Sequence, residues 1–474
     1  MLDLMPAAAE IFLTSAICVV LIVDVFLKKE QRLVTFYLAI LSLIGTAVCS
    51  VYFGVSETTI ALNGAFVGDQ AGNVLKLFSY LVIAVVFLYS RDYLLSAGLF
   101  RGEFFVLSLF GLLGVMVMIS AHNLLILYLG LELLSLSLYA LVAFDRDSGI
   151  AAESAMKYFV LGAIASGTLL YGISVLYGVT GTIRIDELAE YFSLSGGTNI
   201  PALLGLAFVI VGVAFKFGAV PFHMWLPDVY QGAPTPVTLF VATAPKIAAF
   251  ALAWRFLIEG LGGLHGSWQD MVVVLSVLSL AVGNLVAIAQ TNLKRMLAYS
   301  TISHVGFILM GFIAGTEDGI RAAMFYTLIY VLMAAAAFGM IIALSRKGYE
   351  AEHLEDFKGL NARSPWFASM MLMVMFSMAG VPPFVGFYAK LAVLSSVLDV
   401  GLVWLAVFGV IFAVIGAFYY IRIVWYMYFT EPKDTHELEV ANDFQFILSA
   451  NALALLVLGL FPGFLLDLCT SVLS

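Results

Sequence analysis

Charge is what this chain has least of. Asp, Glu, Lys and Arg supply 11% of its 474 residues against 63% hydrophobic ones, with a mean hydropathy of +1.06. That balance excludes a soluble globular domain and marks a polytopic membrane protein. Cysteine is nearly as scarce: Cys18, Cys49 and Cys469 stand apart in apolar runs, with no CxxC and no Cys/His cluster. Iron–sulfur, zinc and disulfide frameworks are thereby unsupported, and the three read as small core residues. No Lys or Arg precedes the first apolar run, whereas Asp3 and Glu10 lie at its start and Lys28, Lys29 and Arg32 follow it. Residues 7–27 therefore read as a retained span, entering with the N-terminus outside, rather than as a signal peptide. Phosphate loops are missing too, since the glycine-rich GLGGLHG at 260–266 follows no strand. Basic and aromatic stretches that would suggest nucleic acid are absent, and the net charge of −9 is carried mostly by loops.

What is present is a succession of apolar runs. At about 20 residues per crossing they make roughly fourteen spans, near 7–27, 33–53, 74–95, 103–120, 122–144, 155–178, 201–220, 234–258, 270–290, 294–314, 319–345, 365–398, 404–428 and 444–468. With the N-terminus outside, fourteen of the 22 Lys and Arg residues fall on the inner side, Lys433 among them. Lys76, Arg184, Arg255 and Arg321 fall on the outer side, and Lys157, Lys216, Lys246 and Lys390 lie within spans. The positive-inside rule supports that orientation. The longest polar loops, 54–73, 180–200, 346–364 and 429–443, are too short to fold as domains. Redox or nucleotide chemistry must then belong to another polypeptide, and this chain supplies a path through the bilayer.

The stretch Phe215–Lys246 organises the rest. It sets Lys216, His223, Asp228 and Lys246 among five prolines, between runs long enough to cross a bilayer. Broken backbone at membrane depth is tolerated only where protein packs it or water lines it, and intramembrane lysines mark ion paths by default. Gly218-Ala219-Val220-Pro221-Phe222 finds an echo in Gly380-Val381-Pro382-Pro383-Phe384, and Ala155-Met156-Lys157-Tyr158 in Ala323-Met324-Phe325-Tyr326. These echoes predict two repeats of five spans each. An odd number of crossings makes the second copy lie inverted, a recurring transporter design. The expected organisation is an N-terminal group over 1–100, a first repeat over 101–260, a second over 268–430 and a last helix over 440–474.

Six residues carry the candidate chemistry. Glu132 shares a helical face with Ser135 and Tyr139, deep in its span; a carboxylate there is paired or protonated, and Lys216 is the natural partner. A static ion pair is the competing reading. Lys246 and Lys390 lie far from span ends without a carboxylate to match, so poor solvation should lower their pKa toward neutrality, as a proton carrier needs; snorkelling is the bland alternative. His304, with Ser300 and Ser303, lies between them in sequence and is either a relay or a satisfied core histidine. Lys157, near a span end, is equally a snorkelling residue. His223 and Asp228 are explained as well by capping and loop packing.

GAVPFHMWLPDVYQGAPTPVT resembles the segment shared by antiporter-like subunits of respiratory complex I and of multisubunit Na+/H+ antiporters. Within that group, QGAPTPVTLFVATAPKIAAF and NLKRMLAYSTISHVGF resemble the N subunits of NADH:quinone oxidoreductase, and the resemblance covers essentially the whole chain. It implies an all-α module of fourteen transmembrane helices with two inverted five-helix repeats, each with a broken helix. It implies proton translocation through a glutamate on the fifth helix and lysines on the seventh, eighth and twelfth, matched here by Glu132, Lys216, Lys246 and Lys390. The buried axis passes the sixth and tenth helices, where Lys157 and His304 lie. It further implies that this chain has no cofactor or redox centre, NADH, FMN, iron–sulfur clusters and quinone belonging to the rest of a complex in the bacterial inner membrane. The partners implied are that complex's other membrane subunits, including sister antiporter-like ones. A Na+/H+ antiporter subunit is the alternative, and it would share the path but need no electron transfer.

Overall fold

A computed structural model describes residues 4–55, 57–194, 199–432, 438 and 440–473; Lys433, assigned above to the inner side, lies outside them. Among the described residues the chain is nearly all helix. α1 (Ala8–Phe26), α2 (Leu33–Tyr52) and α3 (Gln70–Ser96) form the N-terminal group, with a small antiparallel hairpin, β1 (Thr59–Ala61) and β2 (Phe66–Gly68), in the loop before α3. α4 (Gly102–Ile119), α5 (Leu124–Val142), α6 (Gly149–Thr180), a short α7 (Ile185–Leu194) and α8 (Ile200–Phe217) follow. Next come α9 (Trp225–Gly232), α10 (Thr235–Ala242) and α11 (Ala244–Ala253), which runs on through a wider π-helical stretch, Trp254–Gly260. The second half comprises α12 (His265–Ala289), α13 (Leu293–Ala314), α14 (Glu317–Leu344), the short α15 (Leu360–Arg363), α16 (Pro365–Ala379), α17 (Val385–Asp399) and α18 (Val403–Phe429), closed by α19 (Asn442–Leu460) and α20 (Gly463–Leu473).

Thirteen of these helical segments are long and apolar enough to cross a membrane, and α16 and α17 share a further apolar run in two halves. The apolar run 444–468 is not one span. Its helix stops at Leu460 because Pro462 has no N–H to donate and disfavours helical backbone at Phe461, whose φ/ψ is −127/61. The loops 54–73 and 180–200 prove to hold the hairpin and α7. Cys18 is exposed rather than in the core, since α1 turns that face to the membrane, where a small apolar side chain costs nothing.

Burial separates the helices sharply. Every residue in the apolar stretch of Thr235–Gly260 is covered, and 94% of those in α13 and α14, against 28% for the stretch that contains α1 and 33% for α18. The polar composition of α13, with Ser300, Thr301, Ser303 and His304 all buried, explains why it lies inside: in lipid these groups would lack partners.

Both chain breaks are built alike. α8 and α16 each end on a glycine in the left-handed region, Gly218 (φ +77) and Gly380 (φ +82), and prolines follow in the next few residues. That backbone favours glycine because it has no Cβ to clash, and the two breaks are 162 positions apart (380 against 218). Followed crossing by crossing, α8 enters its break from the side of the N-terminus and α16 from the opposite side.

Candidate functional site

The last turn of a helix leaves carbonyls with no partner in the helix itself, and at membrane depth each must find one. At the first break the Phe217 carbonyl accepts from Lys246 Nζ of α11 at 2.8 Å, and that of Phe215 accepts from Trp225 Nε1 at 3.1 Å. The Val220 N–H donates to Ser279 Oγ of α12 at 2.9 Å. At the second break Lys390 Nζ donates to the Met378 and Ala379 carbonyls at 3.0 and 2.8 Å. Both ammonium groups also lie over aromatic rings, Lys246 over Trp225 at 5.8 Å and Lys390 over Phe307 at 5.4 Å. A cation at a helix C-terminus meets the negative end of the dipole. Lys246 is 1% exposed and Lys390 8%, and among the described residues no carboxylate pairs with either. Each break therefore carries one buried lysine whose hydrogen bonds all go to carbonyl oxygens. In the first half that lysine comes from the following helix, in the second from the broken helix itself.

Lys216, in the last turn of α8, is buried and donates to Ser135 Oγ of α5 at 2.7 Å. Glu132, half-buried, accepts from Ser166 Oγ of α6. The expected direct Glu132–Lys216 pair is not formed, because Ser135, one turn along α5, takes the ammonium while the carboxylate turns to α6. Beside them Ser135, Ser166 and Lys216 line a cavity of about 10 Å³, roughly the room that one water needs.

His304 is 2% exposed and sits at a junction of hydroxyls. Its Nδ1 lies 2.7 Å from the Tyr326 hydroxyl of α14 and its Nε2 3.0 Å from that of Tyr420 in α18. Ser300 shares the Tyr420 hydroxyl, and Thr301 meets Tyr330 at 2.8 Å. Ser303 accepts from Asn284, which in turn accepts from Tyr419. A hydroxyl donates or accepts by rotating, so an imidazole held between two of them can take a proton on one nitrogen and give one up from the other.

Lys157 does not join this cluster. Its side chain is 45% exposed and pairs with Glu153 and Asp228, each at 2.9 Å. Asp228 also holds Arg295 at 2.7 Å, so it ties α9 to α6 and α13. Three cations assigned by sequence to the membrane surfaces are buried instead. Lys76 pairs with Glu10 at 2.5 Å, Lys294 donates to the Ala233 carbonyl at 2.8 Å, and Arg255 is held by Asp69 and Glu259. Neighbouring helices and loops cover these positions and supply partners, which distance from a span end cannot reveal.

Comparison with known proteins gives one answer. Residues 121–416 match the family model described as NADH:quinone oxidoreductase/Mrp antiporter, transmembrane. NADH-quinone oxidoreductase subunit N of Thioalkalivibrio sulfidiphilus is 58% identical over 473 residues, covering 100% of this chain and 98% of the relative. That of Nitrosomonas europaea is 53% identical, covering 99% and 98%. The chain belongs to the N-subunit family of NADH-quinone oxidoreductases. A chain of respiratory complex I from Thermus thermophilus has the same fold, with a TM-score of 0.82 at 30% identity over 97% of this chain and 98% of that one. A chain of the Mrp complex of a Dietzia species shares the fold alone, at 0.84 and 21% identity over 99% and 96%. This N-family chain is thus an antiporter-like, multi-pass membrane subunit of a bacterial respiratory complex.

Of the residues singled out by sequence, the fold sets Lys246 and Lys390 at the breaks, Lys216 and Glu132 beside one small cavity, and His304 in the hydroxyl cluster. The tyrosines of that cluster were not foreseen. Tyr326 and Tyr330, one turn apart deep in α14, were the available signal; Tyr420, 116 positions from His304, gave none.

Proposed function

We propose that this chain carries protons across the inner membrane, driven by NADH-to-quinone electron transfer in other subunits of the complex, along Glu132, Lys216, Lys246, His304 and Lys390. The observation that carries the reading is the pair of buried lysines at the two breaks, hydrogen-bonded to carbonyl oxygens with no carboxylate partner among the described residues. A buried ammonium without a counter-charge loses its proton more readily than one in water, and the neutral amine can then accept another. The hydroxyl cluster around His304, on a helix packed against α17, gives a proton successive partners between the two halves. Glu132 sets the charge felt by Lys216, and a change in that field starts the transfer. NADH, FMN, iron–sulfur clusters and quinone belong on this reading to the other subunits, and the sister antiporter-like subunits are the membrane partners. The two breaks, approached from opposite sides, support an inverted pair of repeats. The Lys and Arg excess assigns the side opposite the N-terminus to the cytoplasm.

The test is Lys390→Ala in the intact complex reconstituted in proteoliposomes. Assembly and NADH oxidation should persist while protons moved per NADH fall. Normal assembly with normal pumping would overturn the reading.

A further inference from the structure

On the side of the N-terminus a cavity of about 550 Å³ enters the protein, lined among others by Asp69, His122, Asp186, Arg255, Glu259 and Glu317. Its walls set these charged side chains among apolar ones such as Ile60, Ile258 and Ile320, and it is roomy enough to hold water. Burial draws the Asp186 carboxyl upward in pKa, but the Arg184 hydrogen bond, the Glu187 backbone N–H and the nearby charges of His122 and Arg184 together outweigh this and hold it below the usual carboxylate range. The cavity floor lies at Arg255, five residues inside the outer end of the span Thr235–Gly260. Arg255 stands nine positions beyond Lys246 along the same helical run, which at 1.5 Å per residue is roughly 14 Å, about half the thickness of a hydrocarbon core. A wet cavity that close to a proton-carrying lysine is a short circuit unless something closes it.

The closing group is the Arg255 guanidinium. Its Nε donates to the Ile119 carbonyl at 3.0 Å, one terminal nitrogen to Glu259 at 2.6 Å and the other to Asp69 at 2.5 Å. Its Cζ lies 4.1 Å from the centroid of the Trp254 ring. Side-chain exposure rises from 2% for Arg255 to 11% for Asp69 and 30% for Glu259, so the carboxylates face the cavity and the cation lies deepest. Behind it Ile247–Ala253 is wholly apolar and fully covered. A guanidinium offers no lone pair and stays protonated at any working pH, so it cannot pass a proton on, and a fixed positive charge in a pore repels protons.

We propose that Arg255 is a proton seal: held by Asp69, Glu259 and the Ile119 carbonyl, it shuts the short outward route from Lys246, so that the proton must travel on to Lys390. This rests on the proton path proposed above and on the orientation assigned there, but it is read out separately. The experiment imposes a pH gradient on proteoliposomes holding the intact complex, without NADH. Arg255→Gln should speed the passive collapse of the gradient by about tenfold, equivalent to a barrier lowered by about 1.4 kcal/mol. Adding Lys246→Met should abolish that leak. An assembled Arg255→Gln complex with no leak, or a leak that survives Lys246→Met, overturns the seal, while the pumping of Lys390→Ala judges the path itself. If Arg255→Gln does not assemble, single cysteines are placed around the native arginine, with the three native cysteines replaced by serine. Ile258→Cys, which lines the cavity, should react with a membrane-impermeant thiol reagent, and Ala251→Cys, one turn behind Arg255, should not. Labelling of Ala251→Cys, or none of Ile258→Cys, overturns the seal.

Discussion

On the proposed path, Lys246 holds the Phe217 carbonyl with the proton it would release. Substitutions can separate the two jobs this assigns to one atom. Lys246→Arg keeps the charge and the donors but cannot deprotonate; the complex should retain its thermal stability and lose proton pumping. Lys246→Met should lose pumping too, and in addition leave the Phe217 carbonyl unsatisfied at a cost of about 1–3 kcal/mol, read as a lower unfolding temperature. Pumping retained by Lys246→Arg would remove this lysine from the path. At this scale the sequence is informative where the chemistry is costly. Lys246 and Lys390 stand out because an ionisable group deep in an apolar run demands a reason. A tyrosine carries a weaker signal, being at home both in cores and at membrane interfaces; the pair Tyr326 and Tyr330 hinted at the His304 cluster, and Tyr420 joined it only with the fold. For Glu132 and Lys216 the opposite charges invite a direct contact, while two serines, Ser166 for the carboxylate and Ser135 for the ammonium, settle the geometry.

The broken helix is the element that turns these residues into a site. Gly380 illustrates how tightly break and lysine are joined, since a Cβ built on it would lie 2.9 Å from Lys390 Cδ and 3.2 Å from its Nζ. Gly380→Ala should therefore cost about 1–3 kcal/mol of stability through its left-handed backbone and also displace Lys390, lowering protons moved per NADH. Gly401→Ala is the control. It has the same φ of +82 and nothing within 4 Å of the added carbon, so it should lose stability without changing that ratio. An equal ratio in both variants would show that the break does not position the lysine. The two breaks were legible because glycine and proline punctuate an apolar run. α7, the hairpin and the turn between α19 and α20 were not, because short polar connections and a lone Pro462 are easily absorbed into the neighbouring signals.

At the scale of the whole molecule, sequence and structure agree on the number of crossings to within a broken helix, because hydropathy alone dictates them. Orientation is open to direct test. Leu194→Cys, at a position 78% exposed in α7, should react with an impermeant thiol reagent from outside intact cells. Lys347→Cys, on an exposed loop after α14, should react only after permeabilisation; the reverse pattern would invert the assignment and with it the direction of transport. Hydropathy shows only in part which spans lie inside: α13 is marked by its polar residues, whereas the buried α14 is as apolar as the lipid-facing α1 stretch.

The span Thr235–Gly260, whose apolar stretch is wholly covered, also sets a problem of timing during synthesis. Part of its cover, α3 and α4, leaves the ribosome first, but it also packs against α14, which is made some eighty residues later (317 against 235). Until that helix is in place one flank of the Lys246 helix has no partner within its own chain. A nascent product ending before Glu317 would leave it bare in lipid, beside a lysine and two helix interruptions, which is the form a membrane quality-control protease would degrade.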